Sequence, residues 1–151
     1  MNSVTPFITF SSGAEDAAEL YVSLIRNSRI TGSVRAPDDS YSLVYFELDG
    51  RPFTAMNGGP TFSFATGFSL FAQCEDQEEV DRIWNGFIEK GGQPGQCGWL
   101  LDPFGVSWQV IPKRFLELSG DADPEKVSRV IAAMLKMNKL IVSDLEAAAQ
   151  G

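Results

Sequence analysis

A pattern of apolar residues occurs twice in this chain, and the repeat limits the folds open to it more than any other feature. Near the N-terminus the run Pro6-Phe7-Ile8-Thr9-Phe10 ends at the turn formers Ser11-Ser12-Gly13, after which Ala17, Leu20, Tyr21 and Leu24 recur at helical spacing. Farther on, Phe68-Ser69-Leu70-Phe71-Ala72 is followed by the acidic stretch Glu75-Asp76-Gln77-Glu78-Glu79, then by Val80, Ile83, Trp84 and Phe87 at the same spacing. The helix positions match at a constant offset of 63, and the strand motifs Phe7-x-x-Phe10 and Phe68-x-x-Phe71 match at 61, which gives the second copy a longer strand-to-helix loop. A strand followed by an amphipathic helix, present twice, predicts a duplicated structural unit.

The text after each helix turns to strands. Ser28–Val34 and Ser42–Leu48 read as strands, and Asp49-Gly50 is a hairpin signal leading into Arg51–Met56. Asn57-Gly58-Gly59-Pro60 breaks the pattern. In the second copy Gly91-Gly92 stops the helix, Gly98–Leu101 is a strand, Asp102-Pro103-Phe104-Gly105 is a turn, and Val106–Ile111 closes the unit. The expected fold is α+β: one βαβββ module over 1–60, a second over 61–115, and a helical extension over 116–151, forming one structural domain. In the extension, Asp123-Pro124 reads as a cap with proline at the first helical position. Val127, Val130, Ile131, Met134 and Leu135 form an apolar stripe, and Ser143 to Glu146 has capping-box spacing.

Composition removes several functions. The chain has no histidine, which excludes Ser-His-Asp and Cys-His nucleophile pairs and every imidazole metal ligand. Its net charge of −8 disfavours nucleic acid and anionic membrane surfaces, which require clustered Lys and Arg. Two cysteines, Cys74 and Cys97, are too few for a disulfide framework and suit thiols in a reducing compartment. With no signal sequence or membrane-length apolar run in view, the expected location is the cytoplasm.

The tandem βαβββ pattern with Asp102-Pro103-Phe104-Gly105-Val106-Ser107-Trp108-Gln109 resembles the vicinal oxygen chelate superfamily of glyoxalases, bleomycin-resistance proteins and extradiol dioxygenases. It is most similar to the PhnB-like branch, through Ile8-Thr9-Phe10, Phe46-Glu47-Leu48-Asp49-Gly50, Met56-Asn57-Gly58-Gly59-Pro60, Cys74–Asp81 and Cys97-Gly98-Trp99-Leu100. Proteins of that branch often carry the label demethylubiquinone methyltransferase domain. The resemblance implies two curved sheets enclosing a groove, and a homodimer. Metal-using members of the superfamily place four chelating side chains on inward strands. The corresponding slots fall near Thr5 or Pro6, at Asn57, at Ser69 and at Gln109. A hydroxyl and two neutral amides do not compensate a buried dication, so neither a metal nor another cofactor is expected.

What the slots leave is a neutral polar cluster. By strand alternation Asn57 goes with Phe53 and Ala55, Ser69 with Phe71 and Gln73, and Gln109 with Ser107 and Ile111. Phe53, Asn57, Ser69, Phe71, Gln73, Ser107 and Gln109 are therefore the candidate ligand-binding residues, in a groove that is aromatic with a few hydrogen-bonding groups. The alternative is that Ser69 and Gln109 are satisfied polar residues inside a sheet. Candidate catalytic residues are Tyr45 and Glu47, which share a strand face, and Cys97, a thiol with no histidine to activate it. The leading expectation is a metal-independent protein that binds a small, partly aromatic molecule. A metal-free enzyme is the alternative, as is a methyltransferase, although no Gly-x-Gly-x-x-Gly turn joins a strand to a helix.

Overall fold

Residues 3–151 are described by the structure, a computed structural model. They fall into two compact units, the first ending at Phe64 and the second running Ala65–Gly151. In the first, β1 (Phe7–Phe10) passes through left-handed Gly13 into α1 (Ala14–Leu24), followed by β2 (Arg29–Arg35), β3 (Ser42–Leu48) and β4 (Arg51–Asn57). Asp49 and Gly50 both have positive φ and form the tight hairpin expected of that dipeptide. β1 runs parallel to β4, the other pairs are antiparallel, and the sheet order is β1-β4-β3-β2.

The second unit repeats this plan with β5 (Leu70–Cys74), α2 (Gln77–Glu89), β6 (Gln93–Pro94), β7 (Trp99–Leu101) and β8 (Ser107–Pro112), in the order β5-β8-β7-β6. The repeated βαβββ topology is thus present in both units. The helix offset of 63 is met by matched buried pairs: Ala17 with Val80, Tyr21 with Trp84, and Leu24 with Phe87. The strand offset of 61 is not. Phe10 is 1% exposed and faces α1, whereas Phe71 is 51% exposed and lies on the face away from α2. The registers equate Phe7 with Phe71 and Phe10 with Cys74, an offset of 64; side chains alternate along a strand, so the odd difference of three from 61 exchanges the two faces, and Ala72 and Cys74 hold the positions turned to α2. The two-residue β6 escapes the sequence pattern because so short a strand shows no alternation.

Each helix covers one face of its own sheet. α1 buries Ala14, Ala17, Ala18, Tyr21 and Leu24 in a core shared with Ile8, Phe10, Val44, Phe46 and Ala55. Phe46 stacks on Phe53 with ring centroids 5.5 Å apart and lies 6.3 Å from the Tyr21 ring. α2 lays Val80, Ile83, Trp84 and Phe87 toward Leu100, Trp108 and Val110, with the Phe87 and Trp108 rings 4.9 Å apart.

The β7–β8 turn is built on Asp102, a carboxylate only 4% exposed. Its Oδ1 accepts from the N–H groups of Phe104 (2.8 Å) and Val106 (3.0 Å), and its Oδ2 accepts from the indole Nε1–H of Trp108 (3.0 Å). One side chain thereby fixes the turn and the rotamer of the aromatic residue that packs against α2.

The extension has three helices, α3 (Lys113–Ser119), α4 (Pro124–Met134) and α5 (Val142–Gln150). Asp123 caps α4 as expected, accepting from Glu125 N–H, with Pro124 at the first helical position. The apolar stripe is narrower than its sequence suggests: α4 ends at Met134, so Leu135 falls beyond it and is 58% exposed, while Val130 is fully buried. Ser143 and Glu146 do not form a capping box, because α5 starts earlier and its Val142 N–H is taken by the Gln77 side-chain oxygen at 2.7 Å. Gln77 also donates to Leu140 O and to Asp81 Oδ1, and Lys139 bonds Asp81 at 2.9 Å. The bonds from Lys139 and then Gln77 hold the Asp81 carboxyl below its ordinary pKa of 3.8. Among the described residues no helix is long and apolar enough to cross a membrane.

Asp102→Ala leaves the donors of Phe104, Val106 and Trp108 without this acceptor, and is expected to lower stability by about 2–4 kcal/mol in urea denaturation. The lowered pKa of Asp81 means that its contribution is fully present above the ordinary carboxylate value and disappears as the pH falls through the folded value. Asp81 is partly exposed, so solvent screening limits the effect to about 0.5 kcal/mol. The difference in urea midpoint between wild type and Asp81→Asn should shrink as the pH is lowered from about 5 to 3.

Candidate ligand-binding face

Register assigns the faces of the second sheet. Leu100, Trp108, Val110 and Cys74 turn toward α2, so their neighbours along each strand point the other way. On that opposite face Phe71 and Trp99 both pair with Gln109, Gln73 pairs with Ile111, and Leu101 pairs with Ser107. Ser69, just ahead of β5, joins them: its Oγ accepts from Gln109 Nε2 at 3.0 Å. Five of the residues named from sequence, Ser69, Phe71, Gln73, Ser107 and Gln109, therefore share one side of one sheet. Phe71 is half open to solvent, and Trp99 is half-buried beside the Ser69–Gln109 pair.

A carboxamide has two donors and an acceptor, and a hydroxyl adds both functions, so the pair retains capacity for a ligand's carbonyl or hydroxyl after bonding to itself. Flanking aromatic rings supply apolar contact. Trp99 and Leu101 were not singled out by sequence reasoning; the strand Gly98–Leu101 was legible, but only the Trp99–Gln109 register shows that Trp99 belongs to this face.

Phe53 and Asn57 belong elsewhere. Asn57 Oδ1 accepts from the Ala14 N–H at 2.8 Å, and its Nδ2 donates to Ser42 Oγ at 3.4 Å. Asn57 thus caps the start of α1, while Phe53 stacks in the core on Phe46. The expectation that these two line a groove is corrected: strand alternation grouped them properly, but their shared face is the one that packs α1. Register makes Thr54, which pairs with Phe7 as Gln109 pairs with Phe71, the first-unit counterpart of Gln109.

Tyr45 and Glu47 lie on the side of the first sheet away from α1. Glu47 is held by Arg29, whose Nε sits 2.9 Å from its carboxylate, so it serves as an ion-pair partner along the β2–β3 ladder. Cys97 occupies a left-handed position, φ 60°, in the turn before β7, and donates its N–H to Met137 O.

The donors at the superfamily's chelating positions do not fit a divalent cation. Ser69 and Gln109 are neutral and bonded to each other, Asn57 is engaged by α1, and Thr54, the register counterpart of Gln109, is a neutral hydroxyl. Among the described residues no three His, Cys, Asp or Glu side chains gather as a metal-holding group.

The duplicated βαβββ fold, with the same strand order in both units, defines a class of protein. Residues 2–111 match the family described as 3-demethylubiquinone-9 3-methyltransferase, and the chain belongs to that family. Its fold is that of the vicinal oxygen chelate proteins, and among them it is similar to PhnB. Among solved structures it is similar to a putative 3-demethylubiquinone-9 3-methyltransferase, PhnB protein, from Bacillus cereus, with 27% identity and a TM-score of 0.67, over 74% of this chain and 99% of that one. The fold is shared with the fosfomycin resistance protein FosX from Listeria monocytogenes, whose structure was determined with Mn(II) and sulfate, at 17% identity and TM-score 0.55, over 71% of this chain and 88% of that one. It is also shared with a glyoxylase/bleomycin resistance protein/dioxygenase domain from Frankia sp. EAN1pec, at 15% identity and TM-score 0.50, over 72% and 94% of the two chains. Comparison with curated proteins finds no match.

Asn57→Ala should lower stability by about 1 kcal/mol through loss of the α1 cap, with Asn57→Asp, which keeps the acceptor, losing less; urea denaturation followed by circular dichroism measures both.

Proposed function

We propose that this protein binds a small, partly aromatic molecule on the face of the second sheet carrying Ser69, Phe71, Gln73, Ser107 and Gln109, without a metal ion. The observation that carries the reading is the Gln109–Ser69 hydrogen bond, a neutral polar pair set beside Phe71 and Trp99 on a face that α2 does not cover. Such a face recognises a planar ring bearing a carbonyl or hydroxyl, by stacking and neutral hydrogen bonds. The donor set supports metal independence, since nothing there carries the negative charge a dication requires.

Binding rather than methyl transfer is favoured by the two strand-to-helix turns. Neither turn has the glycine-rich form that lets a backbone approach an adenosyl cofactor: β1 enters α1 through Ser11-Ser12-Gly13, and β5 enters α2 through Glu75-Asp76. The proposal includes a homodimer in the cytoplasm, where the Cys74 and Cys97 thiols stay reduced.

Native mass spectrometry of protein purified without added metal should show a bound small organic molecule. For that molecule, Gln109→Ala should weaken binding about tenfold, with little change in stability. Calorimetric titration with zinc or manganese should give no stoichiometric binding. A one-to-one site abolished by Gln109→Ala would return the protein to the metal-dependent branch of its superfamily.

A further inference from the structure

The C-terminal extension begins where the family match ends. That match closes at residue 111, and the Bacillus cereus structure, aligned over 99% of its own length, covers 74% of this chain. The helices α3, α4 and α5 lie outside the residues that the family model matches, and the structure attaches them to the proposed ligand-binding face in two places. The first is Ile111, which follows Ser107 and Gln109 on the same side of β8. It is 4% exposed, enclosed with Leu118, Val130, Leu140 and Leu145, so the extension ends the open part of the face at that row.

The second attachment leads to Trp99. Met137 O and Asn138 O accept the N–H groups of Cys97 and Gly98, each at 2.8 Å, and Asn138 Nδ2 donates to Gly95 O at 2.7 Å. The clamped turn closes on Trp99 itself: Gly95 N–H donates to Trp99 O at 2.8 Å, and Trp99 N–H donates to Gln96 O at 3.0 Å. The turn has little freedom to adopt another shape. Cys97 and Gly98 both have positive φ, and a Cβ on Gly98 would lie 2.8 Å from Ile111 Cδ1.

We infer that Asn138 is a positioning residue for ligand recognition: by clamping the 95–98 turn it fixes Trp99 beside Gln109, so that a segment outside the family match sets the shape of the binding face. The inference rests on the ligand-face reading above, and the two are separable by experiment.

Trp84 and Trp108 are 5% and 2% exposed, whereas Trp99 is half-buried, so acrylamide quenching of tryptophan fluorescence reports mainly on Trp99. In Asn138→Ala the quenching constant should rise and the emission shift to longer wavelength. Asn138→Asp, which keeps the side chain's size but loses the donor, should behave alike. In a Trp99→Phe background Asn138→Ala should change neither quantity. The neutral fluorescent aromatic N-phenyl-1-naphthylamine serves as the binding probe. Asn138→Ala should weaken it measurably, up to about fivefold, the limit set by one intramolecular hydrogen bond when all of its free energy holds the turn in its binding form. Phe71→Ala should weaken it further. Quenching unchanged by both Asn138 variants overturns the positioning role whatever the probe does. A probe indifferent to Phe71→Ala and Gln109→Ala overturns the ligand-face reading, and the quenching result then decides the Trp99 clamp alone.

Discussion

The Asp102 carboxylate is the constraint on which the second unit depends. A buried carboxylate is costly unless its oxygens are bonded, and here they are bonded by two backbone amides of its own turn and by the Trp108 indole. The requirement acts in both directions. It closes the turn tightly enough for β7 to pair with β8, and it orients Trp108 so that its ring meets Phe87. Once Trp108 is committed to α2, alternation commits Ser107 and Gln109 to the other side, and with them the register partners Leu101, Trp99 and Phe71. The composition of the candidate site is in this sense a consequence of where one acidic residue places its lone pairs.

Much of this was legible in the chain. Helix positions repeat with a period that survives in the structure, because Ala17, Tyr21 and Leu24 and their counterparts Val80, Trp84 and Phe87 are all buried for the same reason. The hairpin at Asp49-Gly50 and the Asp123-Pro124 helix start were also legible, since their chemistry is local. What failed was nonlocal. Phe10 and Phe71 look alike in sequence and face opposite ways, a distinction of three residues in register that composition does not encode. Ser143 lost its capping role to Gln77, far away in sequence, whose carboxamide reaches the α5 terminus first. Asn57 was recognised as a polar residue needing explanation, but its partner, the Ala14 amide, is defined only when α1 packs across the sheet.

Family membership and site chemistry bear on different questions. The match over residues 2–111 and the shared topology fix the scaffold, and that scaffold also serves the Listeria resistance protein crystallised with Mn(II). In this chain Ser69 and Gln109 are neutral and hydrogen-bonded to each other, a pair whose chemistry is orientation rather than electrostatic activation.

The two starts of α1 and α2 carry a consequence for how the duplicated halves have diverged. The last residue of β1 pairs with Asn57, which reaches across to cap α1; the last residue of β5 pairs with Pro112, which has no side-chain acceptor, and α2 is capped instead by Asp76 at its own threshold. One half borrows its cap from a distant strand, and the other carries it within the helix sequence. The halves are thus no longer interchangeable parts: a helix transplanted from the first into the second would arrive without its cap, whereas the reverse exchange would bring its own.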